Sequence, residues 1–352
     1  MRPGKARTFR LTGAIVQRGG VQTVACRAWN GHPAGLLSRM ETPFAIGIDF
    51  GGTTVKIGVA QGGQLVKRAV PLQTLEYVGP EPLLAAILAA VEALRVEFPG
   101  VCAVGAGLPG IIDSRNGIVH ELTHVPGWRE MPLVDRLRAH CRLPARIEND
   151  ANAMAYAEWK FGAARGKTNV VCVTLGTGVG GGLILDGQLY RGSALGAGEI
   201  GNMSIDYRGV PAPYGNFGAL EEYVGNRQIA ARAQASYAAA GQTRSMEECT
   251  PLLLAEAALA GDAIAAALWE ETGLMIGAAL SDIIWLLNPD AIVLGGGVAN
   301  AGDLVFAPMR RTIRERTSPV FWERLEILPA ALGHDAGLIG AAALAVETGG
   351  GV

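Results

Sequence analysis

One pattern occurs twice in this chain, and it restricts the fold more than any other feature. Phe44–Ile48 is an apolar run, Asp49-Phe-Gly-Gly-Thr-Thr54 a turn and Val55–Ala60 a second run, which Gly62-Gly63 joins to Leu65–Val70. The order returns with Val170–Leu175, the turn Gly176-Thr-Gly-Val-Gly-Gly-Gly182, Leu183–Leu185, Asp186-Gly187 and Gln188–Tyr190. Helical segments and further short strands follow each copy. In the first half, residues 82–97, 132–141 and 151–161 read as helices, and Val101–Ala106 and Ala145–Ile147 as strands. In the second, helices are expected near 219–240, 251–260 and 262–287, a strand at Ala291–Leu294 and a closing helix over roughly 337–345. Strands alternating with helices predict mostly parallel, helix-covered sheets, so the fold class is α/β with an internally repeated unit.

Composition narrows the function classes. A chain of 352 residues has room for about two domains. With 49 % hydrophobic and 18 % charged residues it has the apolar material for packed cores, which excludes wholesale disorder. No membrane partner is expected: the most apolar stretch, 262–287, is interrupted by Glu270, Glu271, Ser281 and Asp282. The net charge of −2 hides an asymmetry, because residues 1–40 hold seven basic and no acidic residues. The rest then carries 23 basic against 32 acidic residues, a poor surface for nucleic acid. Residues 1–43 show no regular periodicity and are expected to be a poorly ordered basic extension. Two origins stay open for it: a transit-like or regulatory tail, or a chain that properly starts at Met40. Five scattered cysteines, never in C-x-x-C spacing, predict neither a disulfide framework nor a cysteine zinc site, and place the chain in the cytosol.

The chemistry is expected in the turns. Asp49, Gly51, Gly52, Thr53 and Thr54 lie between two strands. Glycines let backbone N–H groups approach a phosphate, threonines add donors, and a carboxylate can hold Mg²⁺ through water. An ordinary hairpin turn explains the same residues equally well. Gly176, Thr177, Gly178 and Gly180 stand at the matching place in the second copy, which favours the phosphate reading of both. Neither turn is a Walker A loop, and neither leads from strand to helix as a dinucleotide fingerprint does. Gly295, Gly296 and Gly297 follow a strand and would suit either a nucleoside or a close strand-to-helix connection. Glu148-Asn149-Asp150 ends a strand where ligands of open α/β sheets sit. An aspartate there could take the proton from a hydroxyl attacking phosphorus, or simply cap the helix. Glu199, Asn202 and Glu221 offer the carboxylates and amide that a polyol needs, although a solvated surface would contain them too.

Taken in order, Asp49–Thr53, Leu108-Pro-Gly110, Glu148-Asn-Asp150, Leu175–Gly182, Gly198-Glu-Ile-Gly201, Gly295–Gly297 and Asp335-Ala-Gly337 resemble the ROK family of sugar kinases and sugar-responsive repressors. That family lies within the actin/hexokinase-like ATPase superfamily, and the likeness spans about residues 44–345. It implies two ribonuclease-H-like domains, 44–150 with about 334–347 and 151–333, around a cleft for ATP and Mg²⁺. It implies Asp150 as catalytic base and the two glycine turns as phosphate grips, with Gly295–Gly297 on the adenosine side. A sugar would lie against Gly107, Pro109, Gly110, His124, Asn149, Asp150, Glu199, Asn202 and Glu221. A homodimer is implied as well. Where family members carry a His and three Cys for structural zinc, this chain has Asn202, Ala212, Tyr214 and Ala219, so no zinc is expected. The expected function is ATP-dependent phosphorylation of a hexose or N-acylhexosamine. The alternatives are a sugar-responsive regulator and a binding protein without catalysis.

Overall fold

A computed structural model describes residues 42–122, 125 and 127–348; the expectations placed on residues 1–41 and on His124 lie outside these. The first sheet joins β1 (Phe44–Phe50), β2 (Thr54–Gln61), β3 (Gln64–Arg68), β4 (Leu72–Gln73), β5 (Val101–Leu108) and, further along, β9 (Ala145–Asn149). Its order is β3-β2-β1-β5-β9: an antiparallel meander onto which β5 and β9 add in parallel. A small antiparallel sheet of β6 (Gly110–Asp113), β7 (Ile118–Leu122) and β8 (Arg129–Met131) is inserted before β9. The second large sheet, β12-β11-β10-β13-β14, has the same plan. Its strands are β10 (Val170–Leu175), β11 (Val179–Leu185), β12 (Gln188–Tyr190), β13 (Ala291–Gly295) and β14 (Glu326–Pro329). Again the first three are antiparallel and the last two parallel. The repeat in the sequence is therefore a repeat of topology.

Helices α1 (Pro80–Glu97) and α2 (Leu133–Cys141) cover one face of the first sheet, around Trp128 and Phe50. Helices α4 (Glu221–Val224), α5 (Asn226–Ala239), α6 (Pro251–Leu259), α7 (Ala263–Leu287), α8 (Asp303–Arg316) and α9 (Pro319–Trp322) lie on the face of the second that carries Val171, Val173 and Ile292. By length and composition α7 could cross a membrane, yet half of its most apolar window is buried. It packs on α8, where a Cβ at Gly273 would lie 2.4 Å from the Pro308 ring. Helices α3 (Asp150–Lys160) and α10 (Ala336–Thr348) lie between the large sheets and belong to one cluster of small residues. There the backbones nearly touch: a Cβ at Gly105 would sit 1.8 Å from the Ala341 carbonyl oxygen, and one at Gly340 would be 1.8 Å from that of Ala153.

Three expectations need correction. The second glycine turn is shorter than it reads, because Gly180, Gly181 and Gly182 belong to β11. Gly180 and Gly182 are glycines where α3 lies on that strand, a Cβ at Gly182 falling 2.5 Å from the Ala155 methyl. On the opposite face, a Cβ at Gly181 would lie 2.5 Å from the Gly198 carbonyl oxygen. The helix expected over 219–240 is broken at Gly225, which is extended so that the Asn226 N–H can donate to the Gly176 carbonyl at 2.8 Å. Finally, α8, α9 and β14 occupy a stretch where the sequence pattern predicts no element; Pro308 sits inside α8 and hides its periodicity.

Neither backbone at the Gly105 crossing has room to yield. Gly105→Ala is expected to lower unfolding free energy by about 3 kcal/mol, the upper end of ordinary overpacking. Urea denaturation measures it, and a loss below about 1 kcal/mol would show that α10 can lift off the sheet.

Candidate active site

Strand β9 ends at Asn149, whose Oδ1 accepts from the Asn152 N–H at 3.1 Å and caps α3. The first helical residue is Asp150, with Oδ1 accepting from the Ala151 N–H at 2.9 Å. That bond and the helix N-terminus favour the charged form, but burial opposes it more strongly. Burial pushes the Asp150 carboxyl up to about 6, and the carboxylates of Asp49 and Glu199 add to the rise. Gly107 runs alongside, a Cβ there reaching 3.6 Å from the Asp150 Cα. Beneath it Glu148, 3 % exposed, accepts from Arg191 Nε at 2.7 Å and from the Asn152 amide at 3.2 Å.

The first glycine turn approaches from β1. Asp49 ends opposite Lys56 in the β1–β2 register, and Lys56 Nζ lies 3.1 Å from Asp49 Oδ2. Lys56 also donates to the His334 carbonyl at 3.3 Å, just before α10. The space between Asp49 and α10 is tight, since a Cβ at Gly337 would fall 2.8 Å from Asp49 Oδ1. Gly51 closes the turn by donating to the Thr54 carbonyl at 2.9 Å. Thr74 fastens it from outside through the carbonyls of Gly52, at 2.8 Å from its hydroxyl, and Thr53, at 2.9 Å from its N–H. The Thr54 hydroxyl donates to Gln73 at 3.3 Å, whereas Thr53 is exposed.

In the second turn Gly176 N–H donates to the Gly178 carbonyl at 2.9 Å. Beyond it Val179 N–H donates to Glu221 Oε2 at 2.8 Å, and Gly180 N–H to the Thr174 hydroxyl at 3.1 Å. Thr177 is exposed, and a Cβ at Gly176 would meet nothing within 4 Å. Gly295 pairs with Thr174, which sets the third glycine cluster beside this turn. Gly296 has φ of 87° and a Cβ on it would strike the Leu175 carbonyl oxygen at 2.2 Å, so no other residue fits. Gly297 faces open space. The strand-to-helix reading thus explains Gly296, whereas Gly176 and Gly297 border open space.

Glu199 is exposed at its surface, yet desolvation, with Glu221 nearby, raises its carboxyl, and the Asn202 amide within 3.3 Å opposes the rise. Glu221 is committed at one oxygen to the second turn, so it serves that turn's shape as well as any polyol. Pro109 and Gly110 lead from β5 into the small sheet, Gly110 with φ of 111° and opposite Leu122. The 203–219 segment is closed without metal-binding side chains at Asn202, Ala212, Tyr214 or Ala219. Ser204 pairs with Ala219 and Pro211 with Phe217, the Ser204 hydroxyl donates to the Phe217 carbonyl at 2.7 Å, and the Asn216 amide donates to the Asn202 carbonyl at 2.9 Å. These residues do not fit zinc, which asks for four nitrogen or sulfur ligands.

Two contributors are not among the residues that the sequence singles out. Lys56 has a signal, as the residue two places after Thr54 on the same strand face, across the hairpin from Asp49. Arg191, which anchors Glu148, carries no local signal, since 43 residues separate the pair.

The sequence profile of the ROK family matches residues 45–348. A glucokinase of Streptomyces coelicolor is 35 % identical over 314 residues, 86 % of this chain and 97 % of that protein. The crystal structure of a ROK family glucokinase from Streptomyces griseus, in complex with glucose and AMPPNP, is 34 % identical with a TM-score of 0.73, covering 86 % of this chain and 98 % of that one. The DNA-binding transcriptional repressor Mlc of Escherichia coli is 31 % identical over 268 residues, 74 % of this chain and 66 % of that protein. With two large sheets of one topology, and with likeness running through nearly all its described residues, this chain belongs to the ROK family.

Proposed function

We propose that the protein is an ATP-dependent sugar kinase that phosphorylates a hexose or N-acylhexosamine hydroxyl, most simply the 6-hydroxyl of glucose. The observation that carries this is Asp150: a half-buried carboxyl at a helix N-terminus, pushed up to about 6 by desolvation, with Asp49 of the first glycine turn close enough to add to the rise. The glucokinase relatives and the glucose and AMPPNP held by one of them support the same reading. Asp150 takes the proton of the attacking hydroxyl, the hydroxyl oxygen bonds to the γ-phosphorus, and the bond to the β-phosphate oxygen breaks to release ADP. Asn149, Glu199, Asn202 and the Gly107–Gly110 segment orient the sugar. The backbone of Gly51–Thr53 and of Gly176–Gly178 receives the phosphates, and Gly296–Gly297 borders the nucleoside. Asp49 supplies hard oxygens suited to Mg²⁺ bound with ATP, which offsets charge on the transferring phosphate. In this reading the chain divides into 44–150 with 334–347 and 151–333, works in the cytosol, and closes on the sugar to exclude water.

The regulator reading keeps one support, the likeness to the Mlc repressor. It predicts sugar binding without turnover. Release of ADP from ATP across a panel of hexoses and N-acylhexosamines separates the two, and sugar-independent background alone would reject the kinase.

Asp150→Asn is expected to lower kcat by at least about a hundredfold, in line with the loss of a general base. Because desolvation raises the folded pKa of Asp150 from 3.8 to about 6, stability is lost as pH rises from about 4 to about 6, and the penalty is constant above that. The variant should therefore gain as much as ~3 kcal/mol at pH 8 and almost nothing below about pH 4. A variant that loses both activity and stability would contradict that electrostatic account.

The base must be unprotonated to act. kcat/KM for the sugar should therefore fall about tenfold per pH unit below roughly pH 6 and stay level from 7 to 8. A profile flat down to pH 5 would remove Asp150 from the role.

Glu199→Gln should raise the sugar KM several-fold and leave the ATP KM within about twofold, since the carboxylate lies on the sugar side. Equal effects on both substrates would place Glu199 elsewhere.

A further inference from the structure

Four arginines line one cavity, at the far end of β9 from Asp150. Its volume is about 600 Å³, and Ser114, Arg115 and Asn116 from the β6–β7 turn, Arg138 of α2, Arg146 of β9 and Arg191 after β12 form its walls. Carboxylates do not balance them. Glu148 is the nearest, 2.7 Å from Arg191 and 3.8 Å from Arg146. Glu347, which also favours the Arg146 charge, is shared with Lys160 at 3.2 Å, so two carboxylates face four arginines and a lysine. Asp113 is engaged with the N–H groups of Arg115 and Asn116 and with the Asn116 amide. Arg138 and Arg115 each give one nitrogen to a carbonyl, of Ala145 and Ser193 respectively, both at 3.3 Å. Arg146 is the most exposed to the imbalance: its Nε is buried with no hydrogen-bond partner. Burial and the neighbouring Arg191 both disfavour its charge. An unsatisfied buried donor on a cation is expensive, so the arrangement makes sense when an anion fills it.

We propose that this cavity is a binding site for a small phosphate-bearing dianion, distinct from the cleft. Planar guanidinium forks match phosphate oxygens in pairs, and the volume exceeds what a bare ion needs, which favours a phosphomonoester over inorganic phosphate. An occupant would join the β6–β7 turn and α2 to the segment after β12. It would thereby brace the Arg191–Glu148 pair, whose carboxylate sits two residues before Asp150. The site stands on its own residues and does not depend on the kinase reading.

Isothermal titration of the full chain at low ionic strength, with glycerol 3-phosphate and with inorganic phosphate, tests the proposal without measuring turnover. Glycerol 3-phosphate should bind at least as tightly as phosphate, and chloride at matched ionic strength should give no saturable heat. The pair Arg115→Gln and Arg138→Gln, both exposed at the rim, should cut the affinity at least tenfold with an unchanged melting temperature. Should the pair fail to fold, Arg115→Gln alone must still weaken binding at least threefold. Unchanged affinity in the variants, no binding of either phosphate at millimolar concentration, or an equal response to chloride would overturn the site.

Discussion

The structure depends on how closely helix α3 is held between its neighbours. Ala151, Ala153, Ala155 and Ala157 are all buried, and the chain facing them is reduced to glycine where it crosses, at Gly182 of β11 and Gly340 of α10. Side chains larger than a methyl group would push these layers apart, and interiors packed at crystal density do not absorb such shifts. Small residues thus do more than fill space here. They fix the height and direction of one helix relative to both sheets, and so fix where its first residue, Asp150, emerges.

Around that residue the electrostatics are one-sided. Asp49 and Glu199 both disfavour the charge of Asp150, and Lys56 pairs with Asp49. Left alone, such a cluster is unfavourable. Under the proposed function, hydroxyl donors and a cation-bound polyphosphate would make it favourable, which would tie affinity for ligands to relief of strain already present in the folded protein. Beneath the cluster, the Glu148 carboxylate gathers Arg191 and the Asn152 amide, so ligand-facing and buried charges share one strand end.

Much of this is legible in the amino-acid sequence. The doubled strand-turn-strand pattern points to two sheets of one topology, and residue chemistry and order single out Asp49, Asp150 and the glycine turns. What stays hidden is non-local. Gly180 and Gly182 read as turn residues because sequence cannot show the helix lying on them. Asn149 offers both a cap and a ligand, and its bond to Asn152 shows the cap in use. Gly225 looks like any helix interior residue until the second turn is docked against it. The four arginines of the cavity come from four separate elements, and no window of sequence brings them together.

The 203–219 segment has one further consequence. Its shape is written in peptide and amide hydrogen bonds, with Tyr223 adding a hydroxyl to the Val210 N–H at 3.2 Å. A fold edge made this way offers no thiol to oxidants. Its shape then rests on contacts that thiol chemistry does not reach, each between groups no more than 14 residues apart in the chain.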